Sequence, residues 1–232
     1  MKILALIPAR CGSKGIKEKN IVDICGKPLI AYSIEQALAL KKDGVVDEVL
    51  VSTDCEKIAD ISKEWGASVP FLRPQSISSD KAKSISFIIH ALDYYQGIGI
   101  KYDAVLLLQP TSPLRDVEIL KESVNRFKTS AEESLISVYK EEYINDLVMY
   151  RADEAGHQLD PLNELHNAGV RRQDHGSIYV RNGAVYLTSS DYLRKEEKVI
   201  SNKPLMLEMT KSQSVNVDTQ EDLVLLRNIL CK

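Results

Sequence analysis

The stretch Ile3-Leu4-Ala5-Leu6-Ile7-Pro8-Ala9-Arg10-Cys11-Gly12-Ser13-Lys14-Gly15 is followed closely by Lys17, Lys19 and Asn20. An unbroken apolar run ending in a small-residue loop rich in cations reads as a buried strand that delivers an anion site. Backbone N–H groups approach phosphate oxygens closely only where side chains are absent, which gives Gly12, Ser13 and Gly15 a role. Arg10, Lys14 and Lys19 would neutralise the bound charge. The loop matches neither the Walker A pattern nor the dinucleotide-binding glycine fingerprint, so it reads as a phosphate loop of another kind.

Outward from this stretch the chain alternates. Short apolar runs at Ile3–Ile7, Glu48–Ser52, Ser68–Phe71, Ala104–Leu108 and Ser134–Val138 predict strands covered on both faces. Helical spacing predicts helices over Pro28–Leu40, Glu56–Trp65, Ser84–Tyr95 and Val117–Phe127, with Gly66 closing the second and Asp116 capping the fourth. Such alternation predicts an α/β fold with a doubly wound, mostly parallel, Rossmann-like sheet, whose ligands sit beyond the carboxyl ends of its strands. The unusual polar residues fall at those ends: Arg10, then Ser52-Thr53-Asp54, then Arg73, then Gln109-Pro110-Thr111-Ser112-Pro113-Leu114-Arg115.

Periodicity weakens past Lys140. Residues 140–182 read as an arm inserted into the sheet, either a lid or a dimer surface, with Arg171-Arg172-Gln173-Asp174 as its densest polar cluster. Asn182-Gly183 reads as a hairpin turn or a wide loop. Ala184–Thr188, Pro204–Glu208 and Val215–Val217 predict further strands, and Thr219 with Asp222 three residues on opens a final helix, Leu223–Leu230. No repeat or linker interrupts the chain, which reads as one domain, 1–232, carrying the arm.

The composition excludes several classes. At 232 residues, with 44% hydrophobic and 27% charged residues, the chain can bury a full core. A net charge of −3 is wrong for a nucleic-acid binder yet leaves room for local cationic sites. Cys11, Cys25, Cys55 and Cys231 lie far apart, which argues against a zinc site and against a disulfide framework and favours a reducing compartment. Cys11 lies within the cationic loop; it reads as a small residue tolerated there, with a lowered thiol pKa as the chemical alternative. The apolar run that Pro8 ends is too short for a signal peptide or a membrane span, so a cytoplasmic protein with no membrane partner is expected.

Five segments, in order, resemble the CMP-sialic acid synthetases, or N-acylneuraminate cytidylyltransferases: Ile7-Pro8-Ala9-Arg10 with Gly12-Ser13-Lys14-Gly15 and Lys19-Asn20; Arg73-Pro74 with Ser79-Asp80 and Ser84; Leu108 to Arg115; Arg172-Gln173-Asp174 with Asn182-Gly183-Ala184; and Val217-Asp218-Thr219 with Asp222-Leu223. The resemblance implies a nucleotide-diphospho-sugar transferase fold with an arm at a homodimer contact. It implies a Mg²⁺-dependent reaction of CTP with a nonulosonic acid to give the CMP-sugar and pyrophosphate. It further implies that Ala9, Arg10, Gly12, Ser13, Lys14, Lys19 and Asn20 bind the nucleotide, with Arg10, Ser13, Lys14, Lys19 and Asn20 cradling the phosphates and the main chain near Ala9 touching the base, and that Arg73 and Ser84 hold the cytidine. Gln109, Arg172, Tyr179 and Asn182 would line the sugar pocket, Arg172 meeting the sugar's carboxylate. Arg10, Lys19 and Asp218 would carry the chemistry.

The chain departs from the family pattern twice. The family's Asp-x-Asp metal motif is here Asn216 and Asp218, so one negative charge is missing and one ion or two stays open. The His-Pro pair of sialic acid-specific members is replaced by Lys140-Glu141-Glu142-Tyr143, which sets legionaminic or pseudaminic acid beside sialic acid as acceptor. A cytidylyltransferase for an octulosonic acid or a phosphonate is the alternative enzyme, and a non-catalytic nucleotide binder is the alternative class. Ser84 could serve instead as a helix cap, Arg73 in a surface salt bridge, and Arg115 as the partner of a carboxylate.

Overall fold

A computed structural model describes residues 1–12, 15–169 and 176–231. Its strands in chain order are β1 (Ile3–Pro8), β2 (Asp23–Ile24), β3 (Lys27–Pro28), β4 (Glu48–Ser52), β5 (Ala104–Leu108), β6 (Ser134–Glu141), β7 (Tyr150–Ala152), β8 (Leu159–Pro161), β9 (Ile178–Ser189) and β10 (Leu205–Glu208). Its helices are α1 (Leu29–Lys42), α2 (Glu56–Glu64), α3 (Ser84–Gly97), α4 (Val117–Lys128), α5 (Ser190–Glu196) and α6 (Gln220–Leu230).

The main sheet has the order β10-β6-β9-β5-β1-β4. β1 pairs in parallel with β4 and β5, and β10 with β6, while β9 runs antiparallel between β5 and β6. β1 is buried on both faces. Ile3, Ala5 and Ile7 join Ile30 and Ile34 of α1 and Phe127 of α4 on one side. Leu4 and Leu6 join Phe87, Ile88 and Leu92 of α3 and Leu193 of α5 on the other. The period of two within an all-apolar strand is what a sheet with helices on both faces requires.

Local chemistry sets the helix ends as the sequence indicates. Asp116 accepts from the backbone N–H groups of Glu118 and Ile119. Gly66, at φ 91°, ends α2: its N–H donates to the Lys63 carbonyl, and that of Ala67 to the Ser62 carbonyl. Thr219 and Asp222 cap α6 reciprocally, each side chain accepting from the other's backbone N–H.

Four expectations are corrected. Ser68–Phe71 makes only a single bridge, Leu50 to Ser68, because Pro70 has no N–H to continue a ladder. Val215–Val217 forms no strand; Val217 donates one backbone bond, to Thr111, and the cap of α6 follows at once. Asn182-Gly183 is no hairpin turn but an irregularity within β9, where pairing jumps from Ile136–Tyr186 to Val138–Arg181. There Gly183 takes φ 76°, and the Asn182 Oδ1 accepts from Ser137 and from the Ala184 N–H in place of ladder bonds. Finally, Cys25 and Cys231 form a disulfide across 206 residues of sequence. The packing of α6 on the β2–β3 hairpin brings them together, a contact that cysteine spacing cannot reveal.

That packing also positions the site. Ile16, from the loop after β1, shares an apolar cluster with Val217, Leu223 and Leu226. The segment between β6 and β9 leaves the sheet and carries the β7–β8 hairpin, with Tyr143, Val148, Leu159 and Leu165 exposed. Among the described residues no helix is long and apolar enough to cross a membrane.

Candidate functional site

The chain passes from β1 to β4 on one side and later returns to place β5 on the other, so the carboxyl end of β1 lies at a topological switch point. A cleft of about 250 Å³ opens there. Six of the residues singled out in the sequence line it: Arg10, Lys19, Asn20, Arg73, Ser84 and Gln109.

Each is held by a distinct local device. Asn20 Nδ2 donates to the Arg10 carbonyl at 3.0 Å and fixes the loop where it leaves the strand. The Arg10 guanidinium pairs with Asp80 across the cleft. Lys19 starts a short 3-10 turn and places its Nζ 2.7 Å from Asp218 Oδ1, while the Asn216 amide donates to the other Asp218 oxygen. A Cβ on Gly15 would lie 2.6 Å from the Asp218 carbonyl, so this glycine serves the approach of its loop to Asp218. Around Gly12 no atom of the described residues lies within 4 Å of such a Cβ, so none of them demands glycine there.

Arg73 is 5% exposed. Its Nη2 donates to the Ser52 carbonyl at 2.5 Å, and its guanidinium lies 4.8 Å from the centre of the Phe87 ring. Burial pushes its pKa down to about 10, still well above neutrality. Its Nε is buried without a partner. A surface salt bridge is therefore not its role; it is a charged, planar donor set lying against the Phe87 ring at the cleft wall. Lys83 occupies the cap position of α3 and Ser84 begins the helix, so Ser84 is not the cap.

Arg115 overturns the expected carboxylate partner. Its guanidinium donates to the Gln109 and Ala184 carbonyls, to Gln36 Oε1 and to Ser33 Oγ. Burial lowers its pKa, and the four acceptors tie the Gln109–Ser112 turn to α1 and β9. For Cys11 only the alternative, a lowered thiol pKa, is corrected. The hydrogen bond to the Cys55 thiol, burial and the nearby Asp54 push its thiol up to about 11, so no activated thiolate results.

Some expected residues lie elsewhere. Ala9 is buried, its N–H bonded to the Ser52 carbonyl at 3.0 Å. Tyr179 is half-exposed opposite Lys140 on β6 and does not line the cleft. Neither does Asn182, whose amide donates to Ser214 Oγ at 2.8 Å and whose oxygen accepts from Ser137, so its side chain is committed to holding β9. Ser13, Lys14 and Arg172 fall outside the described residues. Asp80, Thr111 and Phe87 line the cleft without having been singled out as site residues. Phe87 had a signal, since it follows Ser84 by three positions on α3 and so shares its face.

For a metal, the available donors are the Asp218 carboxylate, 61% exposed, and the neighbouring Asn216 amide oxygen. This all-oxygen pair suits Mg²⁺, which is commonly held by one or two carboxylates together with substrate phosphates. Among the described residues no group of three or more His, Cys, Asp or Glu side chains is placed to hold an ion by itself.

The family model described as cytidylyltransferase matches residues 4–222. The chain is 34% identical to a pseudaminic acid cytidylyltransferase of Campylobacter jejuni, over 96% of this chain and 94% of that protein. It is also 34% identical to the CMP-N,N'-diacetyllegionaminic acid synthase of Legionella pneumophila, over 99% and 97%. With an N-acylneuraminate cytidylyltransferase of Escherichia coli it shares 32% identity over 95% of this chain and 50% of that one. Among solved structures, a CMP:2-keto-3-deoxy-manno-octonic acid synthetase complexed with CTP superposes with a TM-score of 0.71 at 17% identity, covering 100% of this chain and 99% of that one, a likeness of fold.

Proposed function

The chain belongs to the cytidylyltransferase family, and from that premise we propose that it joins CTP to a nonulosonic acid, giving the CMP-sugar and pyrophosphate. The observation that carries this reading is the cleft at the tip of β1, with Arg10, Lys19 and Arg73 converging on it. Two of these cations already hold carboxylates, Asp80 and Asp218. A triphosphate entering the cleft competes for them, offering more charge and more acceptor oxygens than a single carboxylate. Arg10 and Lys19 then stabilise the charge that grows on the departing pyrophosphate while the sugar's anomeric hydroxyl attacks the α-phosphorus in line.

Arg73 donates to the acceptors of the cytosine, its guanidinium held against the Phe87 ring by a cation–π contact. Gln109 offers donor and acceptor together to a sugar hydroxyl. Arg172, by its bidentate fork, meets the acid's carboxylate. Asp218, with the Asn216 oxygen, holds Mg²⁺, which supplies charge neutralisation at the phosphates when bound. Lys19 releases Asp218 for that purpose as it turns to the nucleotide. The protein acts as a homodimer through its arm.

The acceptor is a modified nonulosonate of the pseudaminic or legionaminic kind. In support, the Lys140–Tyr143 segment lacks the sialic acid pattern, and relatives named for these acids align over nearly their full length. A panel of nonulosonic and octulosonic acids with CTP and Mg²⁺, read by the mass of the CMP product, tests the reading. One nonulosonate is expected to be converted, and Asp218→Ala is expected to raise the Mg²⁺ requirement. CTP binding without pyrophosphate release for any acid would overturn it.

A further inference from the structure

Of the described residues that line the cleft, Asp80 is the one acid, and its carboxylate pairs with the Arg10 guanidinium. The proposed reaction gives it no task. Asp218, which pairs with Lys19 nearby, differs in having a second use as a metal ligand. Asp80 belongs to no group of three or more His, Cys, Asp or Glu side chains placed to hold an ion among the described residues. A carboxylate in the wall of an anion site competes with the ligand for the site's cations.

The segment before α3 delivers this carboxylate. Gln75–Ile77 form a 3-10 turn, the Ser78 hydroxyl donates to the Pro74 carbonyl at 2.9 Å, and the Ala82 N–H donates to the Ser79 carbonyl at 3.0 Å. Bonds on both sides of Asp80 thus set where it stands, facing Arg10. The two side chains are 35% and 34% exposed. Ion pairs this open to water are weak, so the contact yields to a ligand with more charge and re-forms when that ligand departs.

We propose that Asp80 is a positioning residue that acts through Arg10 to release pyrophosphate: it yields the guanidinium to the triphosphate and recaptures it as the product leaves. Asp80 has this role only if Arg10 holds the CTP phosphates, as the proposed function has it. Arg10 must grip the leaving group while charge grows on it, and the same grip then retains the product. A carboxylate within reach of the guanidinium stabilises the emptied site and not the filled one. It therefore weakens pyrophosphate and CTP alike, and it speeds product release, a step that limits many enzymes.

Calorimetric titration of the whole chain with pyrophosphate and with CTP, each with Mg²⁺, tests this. Asp80→Asn keeps the size of the side chain and removes its charge. It should bind both ligands more tightly, by roughly two- to fivefold, the range that exposed ion pairs span. A variant that only disturbed the turn would bind both more weakly. Asp80→Glu, which keeps the charge, should stay close to the unsubstituted protein. In an Arg10→Ala background the effect of Asp80→Asn should shrink toward none. With the nonulosonate that the acid panel identifies, Asp80→Asn should lower the pyrophosphate concentration that halves turnover by the same factor. Unchanged or weaker pyrophosphate binding by Asp80→Asn, or a gain that persists in full without Arg10, overturns the role of Asp80. Failure of the phosphate reading itself shows separately, as an Arg10→Ala variant that binds CTP as well as the unsubstituted protein does.

Discussion

Arg73 meets a carbonyl and an aromatic ring where most arginines this buried would meet a carboxylate. One terminal nitrogen is held by the Ser52 carbonyl, Nη1 has no bond among the described residues, and the buried Nε has no partner, so the protein does not use every donor. Arg73→Lys keeps the charge but loses the plane. It should weaken CTP by the ~1.5–3 kcal/mol of a hydrogen bond to a charged group, about tenfold or more by calorimetric titration. Unchanged affinity would mean that the guanidinium does not touch the base. Arg10 and Gln109 could be found in the sequence because each follows an apolar run that forms a strand, and strand ends carry the ligands of such sheets; Lys19 was legible as one of the cations of the loop after β1, and Arg73 as a cation after an apolar run that makes only a bridge. Asp80 could not be weighed the same way. It sits in an irregular segment, and only the fold reveals that it faces Arg10. Arg115 was legible as important but not in its partners, since every residue carries a carbonyl and no sequence tells which ones a buried cation will gather.

The start of α6 joins stability to chemistry. Asp222 Oδ2 accepts from the backbone N–H groups of Asp218 and Thr219 at 2.9 and 2.8 Å, which holds its carboxyl below the usual range and fixes Asp218 beside Lys19. Thr219→Ala removes half of the reciprocal cap and should cost about 1 kcal/mol. In a chain of this size that is about 2–4 °C in Tm, measurable by calorimetry. No shift in Tm would show that the cap contributes nothing. Helices with capping residues were readable nearly to their ends because the cap is a local signal. β9 was not, because its irregularity arises from contacts with Ser137 and Ser214 far along the chain. Pro70 is the opposite case: a missing N–H visible in the sequence, outweighed there by the apolar residues around it.

The switch point at β1 and the arm between β6 and β9 lie in different parts of the fold, and the proposed reading gives the first to the nucleotide and the second to a partner copy. Tyr143, Leu159 and Leu165 are 70%, 65% and 58% exposed, a cost that a second copy of the arm would remove. Sedimentation should give twice the 26.0 kDa of one chain, and Leu159→Asp with Leu165→Asp should return it to a monomer. A wild-type protein that stays at one chain's mass at micromolar concentration would leave the arm without that role. The Cys25–Cys231 bridge ties the C-terminal helix to the β2–β3 hairpin that follows the loop after β1, so the Lys19–Asp218 contact is braced from behind. Everything rests on the cations at the tip of β1 holding the triphosphate. A crystal structure with CTP and Mg²⁺ bound tests this most directly. It should place the phosphates against Arg10 and Lys19, drawn away from Asp80 and Asp218, with the cytosine beside Arg73. CTP bound elsewhere, with both ion pairs intact, would contradict it.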